Sequence, residues 1–247
     1  MQVRTIKTEK IIPRSIGLFE LLDKYINEFS EESILAIASK VVSICEGRVA
    51  PVEGSDKDEL VKKEADFYLP KEENDYNIYL TIKNNILVPT AGIDESNGGG
   101  YYILWPKNPQ KTVNQIREYL TKRFNVKWVG VIITDSKTTP LRWGTSGVSI
   151  AHSGFLALKN YIGKPDIFGK SMRITKGAVA DSLAASAVLV MGEGNEQTPM
   201  AIISDVPFVE FQDGNPTKKE LDELKIAIKN DVYGSILKRA PWHRHKK

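Results

Sequence analysis

The chain carries the segment VGVIITDS at residues 129–136, in which an apolar, β-branched run leads directly into a carboxylate. Such a run is typical of a buried strand, so we predict a strand over 126–134 with Asp135 at its end. The segment VPTAGIDESN at 88–97 has the same order: a hydrophobic end, then Pro and Gly, then Asp94, with three glycines following. Glycines let the backbone turn close to a ligand. Two acidic strand ends from distant parts of the chain therefore predict one divalent-metal site.

Apolar periodicity along the rest of the chain predicts helices and strands without a regular alternation. We expect helices at 18–29, at about 56–66, at 112–124, at 178–191 and at 216–237. We expect strands at 34–38, 78–82, 86–88 and 200–204, with short strands and functional loops at 137–168. This mixture predicts an α+β fold, with mixed or antiparallel sheets and packed helices. We expect one unit over 1–247, with two subdomains as an alternative, and a frayed basic tail at 238–247.

Composition excludes several classes of protein. The net charge is only +3, which is too small to indicate a nucleic-acid partner. No run approaches the roughly 20 apolar residues that a membrane-spanning helix needs, so we expect no membrane partner. Cys45 is the single cysteine, which excludes an internal disulfide and fits a reducing compartment. We therefore expect a cytoplasmic protein.

The acidic residues Asp94 and Asp135 offer the hard oxygen ligands that Mg²⁺ and Mn²⁺ prefer. Two metal ions held in this way can bridge nucleotide phosphates and spread the charge of a transferring phosphoryl group. The alternative is that each Asp only caps a turn after a strand. Glu193 is a third candidate, placed in MGEG after a predicted buried helix, with a solvated loop residue as its alternative.

Three further positions have side chains that can bind anions. Ser39 and Lys40 follow a predicted strand and could meet phosphate, although no Walker-type glycine loop is present. Arg142 could clamp a carboxylate or phosphate with two hydrogen bonds, or could simply stack on Trp143. The adjacent pair at 152–153, His then Ser, does not favour a hydrolase, because adjacent side chains rarely face each other and no nucleophile-elbow pattern is present.

Eight short motifs in chain order resemble the coenzyme F-420-0:γ-glutamyl ligase family. They are SKVVS at 39–43, EGR at 46–48, AGIDESN at 91–97, GVIITDS at 130–136, RWG at 142–144, YIGKPDIFGK at 161–170, VAD at 179–181 and MGE at 191–193. Each motif alone is weak, but the ordered set is specific. The resemblance implies the fold of that family and an intertwined homodimer.

The resemblance also implies an amide ligase driven by GTP or ATP. The nucleotide would phosphorylate a carboxylate on the acceptor, and the amine of L-glutamate would then attack the acyl phosphate. The acceptor would be F-420-0 or a folate, both of which are anionic cofactors. Carried over by position, the residues that match metal-binding positions, with two Mg²⁺ or Mn²⁺ ions expected, are Asp94, Asp135, Ser136 and Glu193. Those that match nucleotide-contacting positions are Ser39, Lys40 and Asn97, with Arg14 in a loosely aligned loop at 13–15.

We expect Lys40 and Arg142 to act in catalysis, because basic groups gather anionic substrates. Some residues around the site differ from the family pattern, among them Ile44, where the family commonly has Lys, and the stretch SKTTP at 136–140. These departures leave open a second hypothesis, a degenerate paralogue that binds a nucleotide or cofactor without catalysis. The retained carboxylates favour the ligase, since like charges held together without a cation destabilise a fold.

Overall fold

The computed structural model describes residues 1–245. Lys246 and Lys247, the last residues of the predicted basic tail, lie outside the described residues. The strands are β1 (Gln2–Ile6), β2 (Ser33–Ala38), β3 (Val49–Pro51), β4 (Phe67–Leu69), β5 (Leu80–Lys83), β6 (Ile86–Pro89), β7 (Tyr101–Ile103), β8 (Val129–Thr139), β9 (Arg142–Ser153), β10 (Leu158–Asn160), β11 (Lys176–Ala178) and β12 (Met200–Ser204). The α-helices are α1 (Leu18–Tyr25), α2 (Ser39–Cys45), α3 (Lys57–Glu64), α4 (Pro109–Phe124), α5 (Val179–Met191), α6 (Lys218–Glu223) and α7 (Gly234–Leu237).

The central sheet has five strands in the order β1-β12-β2-β8-β9. Its middle pair, β2 and β8, is parallel, with Ser33 opposite Val129 and Ala38 opposite Thr134. The other pairs in this sheet are antiparallel. Helices and strands thus form the mixed α+β architecture that the sequence predicts. Because β2 and β8 run in the same direction, the chain leaves both strands at the same edge of the sheet.

Helices cover both faces of the central sheet. On one face, α1, α2 and α4 pack against alternate residues of β2 and β8, such as Leu35 and Val131. On the other face, α5 packs against the intervening residues, such as Ala36 and Ile132. Strands buried on both faces read as continuous apolar runs, which explains the sequence pattern of β2 and β8.

Two small sheets and α3 form a separate apolar cluster. The sheets pair β3 with β7 and order β4-β5-β6, and their cluster includes Val61, Tyr79 and Tyr102. The strands predicted at 78–82 and 86–88 are confirmed as β5 and β6, and the turn between them has Asn84 and Asn85 both at positive φ. Whether the chain is one unit or two subdomains stays a prediction. Within residues 1–245, no helix has both the length and the hydropathy that a membrane crossing requires.

The predicted helices at 112–124 and 178–191 are confirmed as α4 and α5, and Gly192 ends α5 as expected. The helix predicted over 18–29 is shorter and ends at Tyr25, because Ile26 already has extended backbone angles. Ile26 and Phe29 are nevertheless buried. The core therefore takes up the apolar side chains that continued the helical pattern, although the chain at those positions is no longer helical.

The interpretation of 137–168 as short strands and loops is wrong for its first half. Strand β8 continues to Thr139, and β9 runs over twelve residues back along it. The end of this hairpin is exposed, and Leu141 and Trp143 are 103% and 93% accessible. Backbone pairing rather than apolar burial maintains this exposed end, so its polar sequence gave no alternating signal.

The single helix predicted over 216–237 is also wrong. A capping box at Thr217 and Glu220 starts α6, but this helix ends at Glu223, and only a 3-10 turn and the short α7 follow. Leu224 and Val232, which lie within the predicted span, are 40% and 85% exposed. Helices in proteins depend mainly on packing an apolar face, and these two residues have no such packing.

The described part of the basic tail is ordered against the β4-β5-β6 sheet. His243 forms an antiparallel bridge with Tyr68 and stacks on its ring, and Arg244 lies 4.1 Å from the centre of the Phe67 ring. The prediction of a frayed tail is therefore wrong for these two residues. Backbone hydrogen bonds in both directions between Tyr68 and His243 explain why the segment does not fray.

Candidate active site

A cavity of about 760 Å³ opens at the edge of the central sheet where β2 and β8 leave in parallel. The turn after β6 and the end of α5 complete its walls. The cavity brings together every predicted site residue except Arg14 and Arg142. The residues brought together are Ser39, Lys40, Asp94, Asn97, Asp135, Ser136 and Glu193.

Lys40 lies at the centre of a hydrogen-bonded group at the start of α2. The sequence placed Ser39 and Lys40 after a strand, and they form the first turn of this seven-residue helix, directly after β2. The Lys40 Nζ donates to Asp94 Oδ2 at 2.7 Å and to the Ser96 carbonyl at 2.8 Å. Lys40 is therefore tied to the acidic loop and does not extend into solvent.

Asp94 sits on a tightly turned loop. Thr90, Ala91 and Gly92 all have positive φ, and the backbone of Asp94 then pairs with Ile103. The Asp94 carboxylate accepts from the Ser96 backbone N–H at 2.8 Å. Asp94 therefore caps the turn, as the alternative has it, and contacts Lys40 as well. Burial alone would raise the pKa of Asp94, but the Lys40 ammonium and Ser96 outweigh it and hold the pKa below its usual value.

Asp135 was expected at a strand end, but β8 continues four residues beyond it. The register with β9 shifts between Ile133 and Thr134, where β9 carries one extra residue. This β-bulge bends the strand pair just before Asp135, so the irregularity lies inside β8 and not at its end. Burial raises the pKa of Asp135 to about 6, although the Trp105 indole N–H and the Ser136 backbone N–H both stabilise its charge. This carboxylate is the most strongly desolvated acid in the cavity.

Trp105 is a site residue that the sequence reasoning missed. Its side chain is 1% exposed, and its Nε1–H donates to Asp135 Oδ2. A buried indole usually finds a hydrogen-bond partner, and this tendency was the one sign in the sequence that Trp105 could contact a polar site residue. The sequence does not show that the partner lies 30 residues away.

Glu193 follows Gly192, the cap residue of α5, in a loop that is hydrogen-bonded at both Glu193 and Gly194. The Ser136 hydroxyl donates to Glu193 Oε1 at 2.6 Å, and the Thr145 hydroxyl donates to the same oxygen at 3.1 Å. The Asn97 amide donates to the Gly194 carbonyl at 2.8 Å. Glu193 is thus an exposed loop residue, as the alternative has it, and two hydroxyl donors orient its carboxylate.

These oxygen atoms suit a hard divalent cation that is shared with a substrate. In residues 1–245, no three His, Cys, Asp or Glu side chains converge closely enough to bind a metal by themselves. Mg²⁺ commonly binds through one or two carboxylates and takes its other ligands from water and phosphate. Asp94, Asp135 and Glu193 all line the same cavity and supply such carboxylates, although the Lys40 ammonium pairs with Asp94 Oδ2 in this structure. The residues therefore fit such an ion.

The two predicted arginines lie outside the cavity. Arg142 is exposed at the end of the β8–β9 hairpin, four residues along the ladder from Asp135, or about 13 Å. It could reach a substrate only if the hairpin meets another molecule. Arg14 is exposed with φ 67°, while its neighbours Ile12 and Pro13 line the cavity. The roles assigned to both arginines stay predictions.

The pair at 152–153 gives no nucleophilic arrangement. The Ser153 hydroxyl donates to Asn215 Oδ1 at 2.9 Å, and the His152 ring meets Phe155 edge-on at 5.4 Å. Burial lowers the pKa of His152 to about 4, although Glu220 opposes this shift. His152 is therefore neutral at physiological pH and belongs to the packing.

Ile44, the departure from the family pattern, does line the cavity.

Comparison with known proteins identifies the family of this chain. The family model described as F420-0:Gamma-glutamyl ligase matches residues 6–205. A coenzyme F420:L-glutamate ligase of Methanococcus maripaludis is 37% identical over 223 residues, covering 84% of this chain and 88% of the relative. The protein of the same name from Methanocaldococcus jannaschii is 36% identical, with 78% and 83% covered. That from Archaeoglobus fulgidus is 31% identical, with 97% and 98% covered. The chain therefore belongs to the F420-0:gamma-glutamyl ligase family.

Proposed function

We propose that this protein is a nucleotide-dependent ligase that joins L-glutamate to a carboxylate-bearing cofactor. The terminal phosphoryl group of GTP or ATP is transferred to a carboxylate oxygen of the acceptor, giving an acyl phosphate. The amine of glutamate then attacks the acyl carbon, phosphate leaves, and the amine proton passes to solvent as the amide forms. The observation that carries the proposal is the convergence of Lys40, Asp94 and Asp135 on one cavity.

The cavity residues divide between cation binding and anion binding. Asp94, Asp135, Ser136 and Glu193 would hold one or two Mg²⁺ or Mn²⁺ ions. A bound divalent cation would neutralise the phosphate oxygens during transfer. Lys40 has three donors, so its ammonium can turn from Asp94 and Ser96 toward a phosphate.

The nucleotide has further polar partners on the same wall. Ser39 offers a hydroxyl beside Lys40, and the Asn97 amide lies where the acidic loop meets Gly194. The cavity volume is within the range of small-molecule sites. Ile44 adds an apolar patch to the lining, and the choice between GTP and ATP is a matter for the assay.

F420-0 is the acceptor we favour over a folate. The relatives quoted above are named for ligation of L-glutamate to coenzyme F420, and they cover most of this chain. Both acceptors carry a carboxylate that the same reaction would extend through a γ-linkage. The folate therefore belongs in the assay as a competing acceptor.

We also propose that the protein acts as a homodimer. Leu141 and Trp143 are almost fully exposed on either side of Arg142, at the end of the β8–β9 hairpin. In this proposal, the two exposed apolar side chains form part of the contact surface between the subunits. A second copy would cover them and could bring Arg142 toward a cavity. Light scattering after size exclusion should give twice the chain mass of 27.6 kDa.

A mass-spectrometric ligase assay tests the function. The protein is incubated with L-glutamate, GTP or ATP, Mg²⁺ or Mn²⁺, and either F420-0 or a reduced folate monoglutamate. We expect one or more glutamyl units on F420-0, and no gain after addition of EDTA. Metal-dependent nucleotide binding without a mass gain on either acceptor would favour the degenerate paralogue instead.

A further inference from the structure

We infer that Trp105 is a positioning residue that holds Asp135 in the orientation needed for a divalent cation. The inference rests on the proposed function, because it assigns Asp135 to a metal. The Trp105 indole N–H donates to Asp135 Oδ2, and the Ser136 backbone N–H also faces this carboxylate. A carboxylate held by fixed donors keeps its remaining lone pairs directed to one place.

The indole itself is fixed by the loop that carries Asp94. Gly92 packs directly against it, and a Cβ at Gly92 would overlap the Nε1 atom of Trp105. Gly92 also has φ +70°, a conformation that other residues rarely adopt. The indole thus lies between the Asp94 loop and Asp135. Any displacement of the ring would disturb both carboxylates at once.

A partly buried ionic group holds Trp105 from the opposite side. The Arg48 Nε donates to the Trp105 carbonyl at 3.2 Å, and the Lys83 ammonium lies 5.6 Å from the centre of the indole ring. Glu64 pairs with both cations, at 2.8 Å from Arg48 and 2.7 Å from Lys83. This group lies behind the cavity wall, and Arg48 belongs to the motif EGR, for which the reaction alone gives no role.

The position of Trp105 has a chemical consequence. Its ring is an apolar wall that keeps water from one side of Asp135, while its N–H supplies a single directed donor. A phenyl ring would keep most of the wall and remove the donor. The two contributions can therefore be separated by one substitution.

The first test compares Trp105→Phe with Trp242→Phe. Trp242 provides a matched control, because its Nε1–H also donates to a protein oxygen, the Leu237 carbonyl at 2.6 Å, and not to a carboxylate of the cavity. Binding of Mn²⁺ is measured by electron paramagnetic resonance, with and without a non-hydrolysable GTP analogue. We expect Mn²⁺ affinity to fall about 10-fold or more in Trp105→Phe and to stay within twofold of the parent in Trp242→Phe.

Unchanged Mn²⁺ affinity in a folded Trp105→Phe variant would overturn the positioning role but leave the ligase intact. A parent protein that binds no Mn²⁺ under either condition would overturn the metal site and the positioning role together. A parent that binds Mn²⁺ but ligates no acceptor would leave the positioning role standing and remove the proposed reaction.

A second measurement does not depend on the folding of Trp105→Phe. The chain has four tryptophans, and their ¹⁵N indole signals can be assigned through Phe substitutions at positions 128, 143 and 242. We expect the Trp105 signal to shift on titration with Mg²⁺ while the Trp242 signal stays in place. A Trp105 signal that stays in place while Mg²⁺ binds, as followed by calorimetry, would contradict the inference.

Discussion

The two carboxylates of the cavity are held in opposite ways. Asp94 lies on a loop, is partly exposed and has the Lys40 ammonium at 2.7 Å. Asp135 lies inside a long strand, is more deeply desolvated, and has neutral N–H donors as its nearest partners. The pKa of Asp94 is held below its usual value, while that of Asp135 is raised to about 6.

The fold therefore stabilises the ionised form of Asp94 and disfavours the ionised form of Asp135. Charge on Asp94 is balanced within the chain, so the loop can fold without a ligand. Charge on Asp135 is only partly balanced, and a divalent cation would relieve it. A site that needs a cation for function is expected to be less stable than it could be without one. Substitutions at the two positions should therefore have different effects on stability.

The largest effect is expected from Asp135→Asn. Removing a ligand of the proposed cation should lower ligase activity by about 10²-fold or more. The metal-free variant should nevertheless be more stable than the parent near pH 8, by up to about 3 kcal/mol, because the desolvated charge is gone. Ligase assays and urea unfolding in EDTA measure the two quantities.

Asp213→Asn is the control for this variant, since Asp213 forms only an exposed pair with Lys127 at 3.2 Å. We expect it to retain full activity and parent stability. If Asp135→Asn were less stable than the parent at pH 8, the contrast between the two carboxylates would be broken.

Asp94→Asn should reduce activity by a smaller factor, about 10-fold, and should destabilise the protein. Loss of the ion pair with Lys40 removes about 1 kcal/mol at most, since both side chains are partly exposed. Asp58→Asn is a matched control, because the Asp58–Lys71 pair at 2.6 Å has similar exposure and lies away from the cavity. Equal activity losses in both variants would show that Asp94 has no special role. Thermal unfolding and the ligase assay provide the readouts.

The pH dependence of stability should separate the two carboxylates further. The folded-state pKa of Asp135 is raised above its unfolded value, so the folded state takes up a proton more readily. The loss of folding stability caused by the ionised Asp135 is complete above about pH 6 and disappears as the pH falls toward 4. The stability advantage of Asp135→Asn over the parent should therefore shrink across this window.

The measurement is a series of urea unfolding curves between pH 4 and 8, with EDTA present. The buried, neutral His152 acts in the opposite direction, since its pKa is lowered to about 4 and its contribution is lost as the pH falls below about 6.5. It contributes equally to both proteins and cancels in the difference. A difference that is constant with pH would mean that Asp135 is not strained.

The sequence predicts the central frame well but not the exposed elements. The apolar runs of β2, β8 and α5 are buried on both sides or packed along one face, so periodicity and burial agree. The first half of strand β9 is exposed and is held by backbone pairing with β8, so its polar residues show no pattern, although Val148 and Ala151 further along are buried. The helix predicted over 216–237 has apolar spacing, yet Leu224 and Val232 are not buried, so the spacing alone was misleading.

The same limit applies to the site. Each half could be predicted locally, because an apolar run ending in Asp marks both Asp94 and Asp135. That the two halves share one cavity depends on the parallel pairing of β2 with β8 and on the bend after β6. No local pattern specifies the contact from Trp105 to Asp135, because packing of Gly92, Lys83 and Arg48 around the indole creates it.

The smallest effect is expected from Ser136→Ala, a substitution next to Glu193. Ser136→Ala removes the hydroxyl that donates to Glu193 at 2.6 Å, but Thr145 still donates to the same oxygen at 3.1 Å. Because one donor remains, we expect the apparent Mn²⁺ constant in the ligase assay to rise only about threefold, which corresponds to the usual 0.5–1.5 kcal/mol of one hydrogen bond. The double variant with Thr145→Val should lose more than the sum of the single effects, since Glu193 then has neither hydroxyl. An effect of Ser136→Ala on the Mn²⁺ constant as large as that of Asp135→Asn would instead make the neutral Ser136 hydroxyl as strong a ligand as a carboxylate, and the two carboxylates would no longer be the dominant ligands.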